Sequence, residues 1–272
     1  MDGSIYLGSQ IMAVITVFSI KGGVGKTTLA AELAWRWARG GAQPTLLWDL
    51  DPQGGSSFLA RVPEPQRHRA AAIFQRDGRP REAVVPASQP GLSLIPADPS
   101  LRQLPLLLPR LGPRRLQQMA CLLRSDYPRI ILDCPAGLSP VSEQALVAAD
   151  LIVVPLPPSP LSLRALEQLR LELRRLCHTP PPIQPVLSMF ASRRPLHREL
   201  RRGDAADWPA IPLAAQVAQV AVRRAPVFSF AGGSVPDRAL HRLWRDLEDK
   251  VQGADAAMAE SEVLVLRQSM LA

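Results

Sequence analysis

"SIKGGVGKTT", residues 19–28, gathers three glycines, two lysines and two threonines into ten positions. Lysine is scarce elsewhere. Of 32 basic residues only Lys21, Lys26 and Lys250 are lysines, and the rest are arginine. Gly22, Gly23 and Gly25 let the backbone approach a ligand closely and take dihedrals closed to other residues. Just before the turn, "MAVITVFSI" (12–20) reads as a buried strand. Just after it, "TLAAELAWRWARGG" (28–41) reads as a helix, with Leu29, Leu33 and Trp37 on one stripe and Gly40-Gly41 as its stop. A strand, a glycine turn and a helix N-terminus bring several N–H groups to one point, which makes an anion cradle.

Outward from that cradle, "PTLLWDLDPQGG" (44–55) reads as a strand running into a loop that opens on Asp49 and Asp51. "PRIILDCPAG" (128–137) is another apolar strand, delivering Asp133 to its end. Further strands are expected at 91–98, 151–157 and 184–190, the last being the final central strand. Helices are expected at 111–127, 142–150, 161–176 (with Leu166, Leu169, Leu173 and Leu176 facing the core) and 238–251. Residues 60–90 are polar and rich in proline and arginine, with short helical stretches. Strands alternating with helices predict one α/β domain over residues 12–252. Its sheet is mostly parallel and twisted, with helices on both faces. A loose arm (1–11) precedes it and a weakly patterned tail (253–272) follows, with Met12 as an alternative start.

A chain of 272 residues, 47% apolar, can bury one sizeable core. It has no apolar run of 18 residues, so no membrane span is expected, and "MDGSIYLGSQ" lacks the pattern of a secretory signal. Cys121, Cys134 and Cys177 are odd in number and far apart. They match neither a disulfide framework nor metal spacing, and they fit a reducing cytoplasm. A net charge of +8 points to polyanionic partners.

Within the glycine turn, Lys26 is a flexible point charge able to reach the β- and γ-phosphates of a nucleotide. The hydroxyl of Thr27 is placed for Mg²⁺. The common pattern G-x-x-x-x-G-K-[ST] fails at its first glycine, because position 20 is Ile. What stands instead, K-G-G-V-G-K-T, resembles the deviant Walker A ATPases of the ParA/MinD family. The resemblance extends over about residues 12–252. "DLDPQGG" looks like that family's switch I, "IILDCPAG" like its Walker B running into switch II, and "VLSMFASRRPLHREL" and "AIPLAAQV" (210–217) fit its later segments.

The resemblance implies ATP and Mg²⁺ as cofactors and a P-loop fold. Gly22, Gly23, Val24, Gly25, Lys26, Thr27 and Thr28 would hold the phosphates, and Met189 and Pro212 would flank the base. Thr27, Asp49 and Asp133 would serve Mg²⁺, while Asp51 would orient the attacking water. Lys21 would be the signature lysine, reaching across an ATP-dependent homodimer to the phosphates bound by the other copy.

Residues 161–202 carry nine arginines against three glutamates. The loop cluster Arg193, Arg194, Arg198, Arg201 and Arg202, with Arg223 and Arg224 beyond it, is implied by the resemblance to bind duplex DNA without sequence preference. The same resemblance implies a ParB-like or cargo-adaptor protein that stimulates hydrolysis, and a place on the nucleoid. With 11 residues before Met12, no N-terminal operator-binding domain is expected. Two alternatives stand beside this one. The first is an ATP-switch regulatory or scaffold protein, such as the accessory ATPase of cellulose synthase operons. The second is a MinD-like membrane-associated ATPase, against which Asp255, Glu260 and Glu262 argue, since a helix on anionic lipid needs cations on its polar face.

Overall fold

β1 (Ala13–Val17) is buried at all five positions, as a strand covered on both faces must be. The computed structural model describes residues 12–40, 44–62, 70–75 and 77–270. The expected arm over residues 1–11 lies outside them. After β1 come α1 (Lys26–Gly40), β2 (Thr45–Asp49) and α2 (Gly55–Leu59), then two 3-10 turns and β3 (Val85–Pro86). β4 (Leu92–Ile95), α3 (Leu104–Leu111), α4 (Arg115–Cys121), β5 (Arg129–Asp133) and α5 (Pro140–Ala148) follow. The chain continues through β6 (Leu151–Leu156), α6 (Pro160–Leu176), β7 (Ile183–Phe190) and α7 (Pro195–Arg202). It closes with β8 (Ala210–Pro212), α8 (Ala215–Arg223), α9 (Val227–Phe230) and α10 (Val235–Met270).

The eight strands form one sheet in the order β3-β4-β2-β5-β1-β6-β7-β8. Every pairing is parallel except β3 with β4. Side chains alternate across the pleat. Ile130 and Leu132 join a core with Leu104, Leu116, Leu146 and Leu166 of α3 to α6. Ile131 faces the other way, into a core with Leu33 and Trp35 of α1, Val220 of α8 and Leu243 of α10. Trp48 is fully buried and stacks on Phe74, with ring centroids 5.7 Å apart, which anchors the 3-10 segment to β2.

The α/β fold and the mostly parallel sheet match the expectation, and several details correct it. β7 is the last central strand, as expected, and beyond it lies an edge strand, β8, whose three residues are too few to show a period. The helix expected over 111–127 is confined to Arg115–Cys121, behind Gly112 and Pro113. The expected arginine loop is partly helix α7, with Pro195 at its first position, where a fixed φ and a missing N–H cost nothing. The prolines of "LPLLLPRL" hide α3 from pattern reading. Leu176, at the end of α6, is half-buried. The closing helix begins at Val235 and continues past Gly253 to Met270, and its side chains from residue 254 on lie outside the described set. No helix among the described residues is long and apolar enough to cross a membrane.

Candidate nucleotide site

The glycine turn links the C-terminal end of β1 to the first turn of α1. Gly23 (φ 69°) and Gly25 (φ 89°) take left-handed backbone that L side chains rarely adopt. Space is not the constraint, because a Cβ at either would meet nothing within 4 Å. Lys26 opens α1, is 8% exposed, and donates from Nζ to the carbonyl of Lys21 at 3.4 Å. Lys21 points elsewhere. Its Nζ meets Ser162 Oγ at 3.5 Å, in the first turn of α6.

Asp49 and Asp133 end adjacent parallel strands and sit opposite each other in register. Both are fully buried. Ser57 donates to Asp49 Oδ2 from its backbone N (2.8 Å) and its hydroxyl (2.7 Å), and the Asp51 N–H reaches Asp49 Oδ1 at 3.2 Å. Ser56 donates from Oγ to Asp133 Oδ2 at 2.7 Å, while Asp133 Oδ1 has no partner. Burial raises both carboxyls above their ordinary range, and for Asp133 the neighbouring Asp49 adds to the rise. Asp51 is half-buried and caps its own turn, accepting from Gln53 N at 2.9 Å.

Helix α2 lies tightly against this pair. Gly54 is left-handed (φ 66°), and a Cβ on Gly55 would stand 2.8 Å from Thr27 Cγ2. The "GG" after "DPQ" lets α2 close on Thr27, with Ser56 against Asp133 and Ser57 against Asp49. Neither serine was singled out by sequence reasoning. The available signal was a pair of hydroxyl residues opening a helix directly after the acidic turn.

No group of three or more His, Cys, Asp or Glu side chains converges into a metal cluster among the described residues. Two carboxylates and a threonine hydroxyl form instead a hard-oxygen set of the kind Mg²⁺ takes while keeping several waters. The unpartnered Asp133 Oδ1 fits such a cation, and charge there would relieve the crowding of two buried acids.

Beside the turn runs an apolar cavity of about 180 Å³, lined by Val24, Thr28, Leu29, Pro155, Met189 and Pro212 among others. Met189 and Pro212, 23 positions apart in "MFASRRPL…AIP", thus share one slot with the glycine turn. Two polar groups in this lining were missed. Ser188 Oγ is buried without a partner. Glu32 accepts from the Val227 N–H at 2.6 Å, and burial pushes its carboxyl up to about 7.

The seven candidate arginines separate into two groups. Arg193, Arg194 and Arg202 are exposed, with no side-chain hydrogen bond or ion pair among the described residues. The rest are engaged. Arg198 donates to the carbonyls of Ser192 (3.2 Å) and Arg193 (3.1 Å), and Arg201 to those of Ala205 (3.2 Å) and Trp208. Arg223 bonds Gln219 at 3.1 Å and lies 4.9 Å from the Phe230 ring centroid. Arg224 stacks on Phe58 of α2 at 3.7 Å, and Arg61 donates to the carbonyls of Arg223 (2.8 Å) and Arg224 (3.3 Å).

A glycine cradle between a central parallel strand and its helix, with carboxylates on the C-terminal edge of the same sheet, defines a P-loop nucleotide-binding protein. Residues 12–184 match the AAA domain family. The chain is 31% identical over 205 residues to the chromosome partitioning protein ParA of Caulobacter vibrioides, covering 72% of this chain and 76% of that one. Its fold is similar to that of McdA from Cyanothece in an ATP complex (TM-score 0.75, 19% identity, 88% and 97% of the two chains). It is also similar to the septum site-determining protein MinD of Pyrococcus horikoshii complexed with Mg-ADP (TM-score 0.73, 20% identity, 89% and 98%). The chain belongs to the ParA/MinD family of P-loop ATPases.

Proposed function

We propose that this ParA-like ATPase is a DNA-tethered positioning protein. In this reading two copies close as a sandwich around ATP and Mg²⁺, and the closed dimer binds duplex DNA without sequence preference. A ParB-like or cargo-adaptor protein then stimulates slow hydrolysis and opens it, so that a plasmid, chromosome region or other large cargo moves over the nucleoid in the cytoplasm.

The observation that carries the reading is the divergence of the two lysines. Lys26 Nζ stays inside the turn, on the Lys21 carbonyl, while Lys21 Nζ leaves it for Ser162 of α6. Two lysines of one cradle with different neighbours support separate roles, one for the copy's own phosphates and one for its twin's. Phosphoryl transfer asks the protein chiefly for positioning and charge. Mg²⁺, when bound, neutralises charge developing on the β- and γ-phosphates. Thr27, Asp49 and Asp133 would hold it, with Ser56 and Ser57 fixing the two carboxylates. Gly22 to Thr28 would cradle phosphate through backbone N–H groups, Asp51 would orient the attacking water, and Met189 and Pro212 would enclose the base.

Of the seven candidate arginines, Arg193, Arg194 and Arg202 are free to meet DNA phosphates. One observation favours the second reading, an ATP switch that does not hold DNA: Arg198, Arg201, Arg223 and Arg224 already have partners within the chain.

Sedimentation velocity with ATP and Mg²⁺ tests the lysine roles. The parent chain is expected to dimerise, Lys26→Ala to lose nucleotide binding, and Lys21→Ala to bind nucleotide yet remain monomeric. A full ATP dimer in Lys21→Ala would refute the cross-subunit role.

A further inference from the structure

A second cavity, of about 350 Å³, opens between the C-terminal end of α1, α9 and the start of α10. Its volume is at the low end of the range for small-molecule pockets. Its walls carry two arginines, one aspartate and three aromatic rings. The guanidinium groups of Arg36 and Arg39 lie 5.3 Å and 4.4 Å from the centroid of one ring, Phe228. Asp237 answers Arg36 at 2.7 Å, and its other oxygen is taken by the Gly233 N–H at 2.8 Å. Arg39 has no carboxylate partner among the described residues.

The same walls hold polar groups with bonds unmade. The Arg36 side chain is 5% exposed and its Nε has no partner. Trp244 Nε1 is likewise buried and unpartnered. The His241 ring packs on Trp244 at 5.4 Å. The indole takes the space a Cβ on Gly40 would need, with Trp244 Cη2 at 2.7 Å from that position.

This cavity is joined to the nucleotide slot by one ion pair. Arg36 Nη2 also reaches Glu32 Oε2 at 3.4 Å, and Glu32 lines the slot beside Thr28 and Leu29. The pair runs one turn along α1, with a cavity at each end. An anion in the second cavity would draw on Arg36, whose bond to Glu32 is already long.

We propose that the cavity is a second ligand site, for a small anion carried on a flat ring, an aromatic carboxylate or phosphate ester. Arg39 takes the charge, Arg36 offers its unpartnered Nε, and the ring packs among Phe228, His241 and Trp244. Occupancy is transmitted to the nucleotide slot through Glu32, a step that rests on the slot being the nucleotide's. By linkage the effect is reciprocal, with nucleotide changing the affinity for the anion by the same factor.

The test uses the full chain saturated with ADP and Mg²⁺, which fills the α- and β-phosphate positions of the glycine turn, and dependence on Arg39 separates the cavity from the γ-phosphate position. Benzoate and phenyl phosphate are the probes, followed by titration calorimetry. At least one is expected to saturate a single site per chain. Arg39→Ala, an exposed position, should weaken it by about tenfold and Arg39→Lys should restore part of the loss. Arg110→Ala, at an exposed arginine of α3 remote in sequence from the cavity, should leave probe binding unchanged. In a second titration, saturating probe should shift ADP affinity in the parent chain, and the same probe concentration should shift it less in Arg39→Ala. Failure of both probes to saturate at tens of millimolar, or equal binding by Arg39→Ala, would overturn the site. Probe binding without any shift in ADP affinity would overturn the coupling. Normal ADP binding in those outcomes leaves the nucleotide reading standing, whereas absent ADP binding would count against that reading instead.

Discussion

Ser56 holds one oxygen of Asp133 at 2.7 Å and leaves the other, fully buried, without a partner. A carboxylate pinned on one side presents a fixed oxygen on the other, which is how outer partners orient a metal-binding group. Ser56→Ala is therefore expected to raise the Mg²⁺ concentration needed for tight nucleotide binding by about tenfold, with Ser56→Thr recovering part of it. A Mg²⁺ titration of fluorescent ADP binding reads this directly. An unchanged Mg²⁺ requirement in Ser56→Ala would remove the serine from the metal's support.

The buried acids make the nucleotide-free chain sensitive to pH. Asp49, Asp133 and Glu32 all have raised carboxyl pKa values, Glu32 to about 7, with burial the largest cause of each. The folded chain thus keeps protons that the unfolded chain loses above about pH 4. Stability should fall as pH rises from there toward 7 and stay low beyond it. Thermal melts without nucleotide or metal should show a lower Tm near pH 8 than near pH 5.5, values chosen to lie on either side of the raised range of about 6 to 7. Asp133→Asn should narrow that gap. A gap of the same size in the variant would place the pH dependence elsewhere.

Gly55 is where α2 meets the first turn of α1. A methyl there would press on Thr27, a β-branched side chain with little rotamer freedom in a helix. Gly55→Ala is expected to cost about 1–3 kcal/mol of stability and to weaken Mg²⁺-dependent nucleotide binding. Chemical denaturation and ADP titration measure the two effects. Unaltered nucleotide binding would show that Thr27 can move without loss.

Among the seven candidate arginines, those without partners should carry the DNA phosphates. Arg193→Ala with Arg194→Ala is expected to reduce the slope of log affinity against log salt by about two. Arg201→Ala should act more on stability than on that slope, because its guanidinium binds the carbonyls of Ala205 and Trp208. An unchanged slope in the double variant would move the contact off this cluster.

The strands and the glycine turn were legible because their signals are local. Apolar runs end on an aspartate, and left-handed turns take glycine. Asp49 and Asp133 were found this way, each at the close of its strand. Met189 and Pro212 were assigned by resemblance alone, and the fold puts both on the slot beside the turn. What stayed hidden depends on distant partners. Glu32 looks like an ordinary helix acid until Arg36 and Val227 close around it, the latter 195 residues away. Arg224 reads as a free cation, yet it stacks on Phe58 from another element. β8 and α9 are too short to show any period.

The central claim, a nucleotide-controlled hold on DNA, is tested most directly by one binding experiment. Random-sequence duplex DNA is titrated into the full chain at about 100 mM salt, where phosphate contacts still dominate affinity. The titration is run with ATP and Mg²⁺, with ADP and Mg²⁺, and without nucleotide. The account predicts salt-sensitive binding with ATP and little with ADP or none. Equal binding in all three states, or no binding in any, would contradict it.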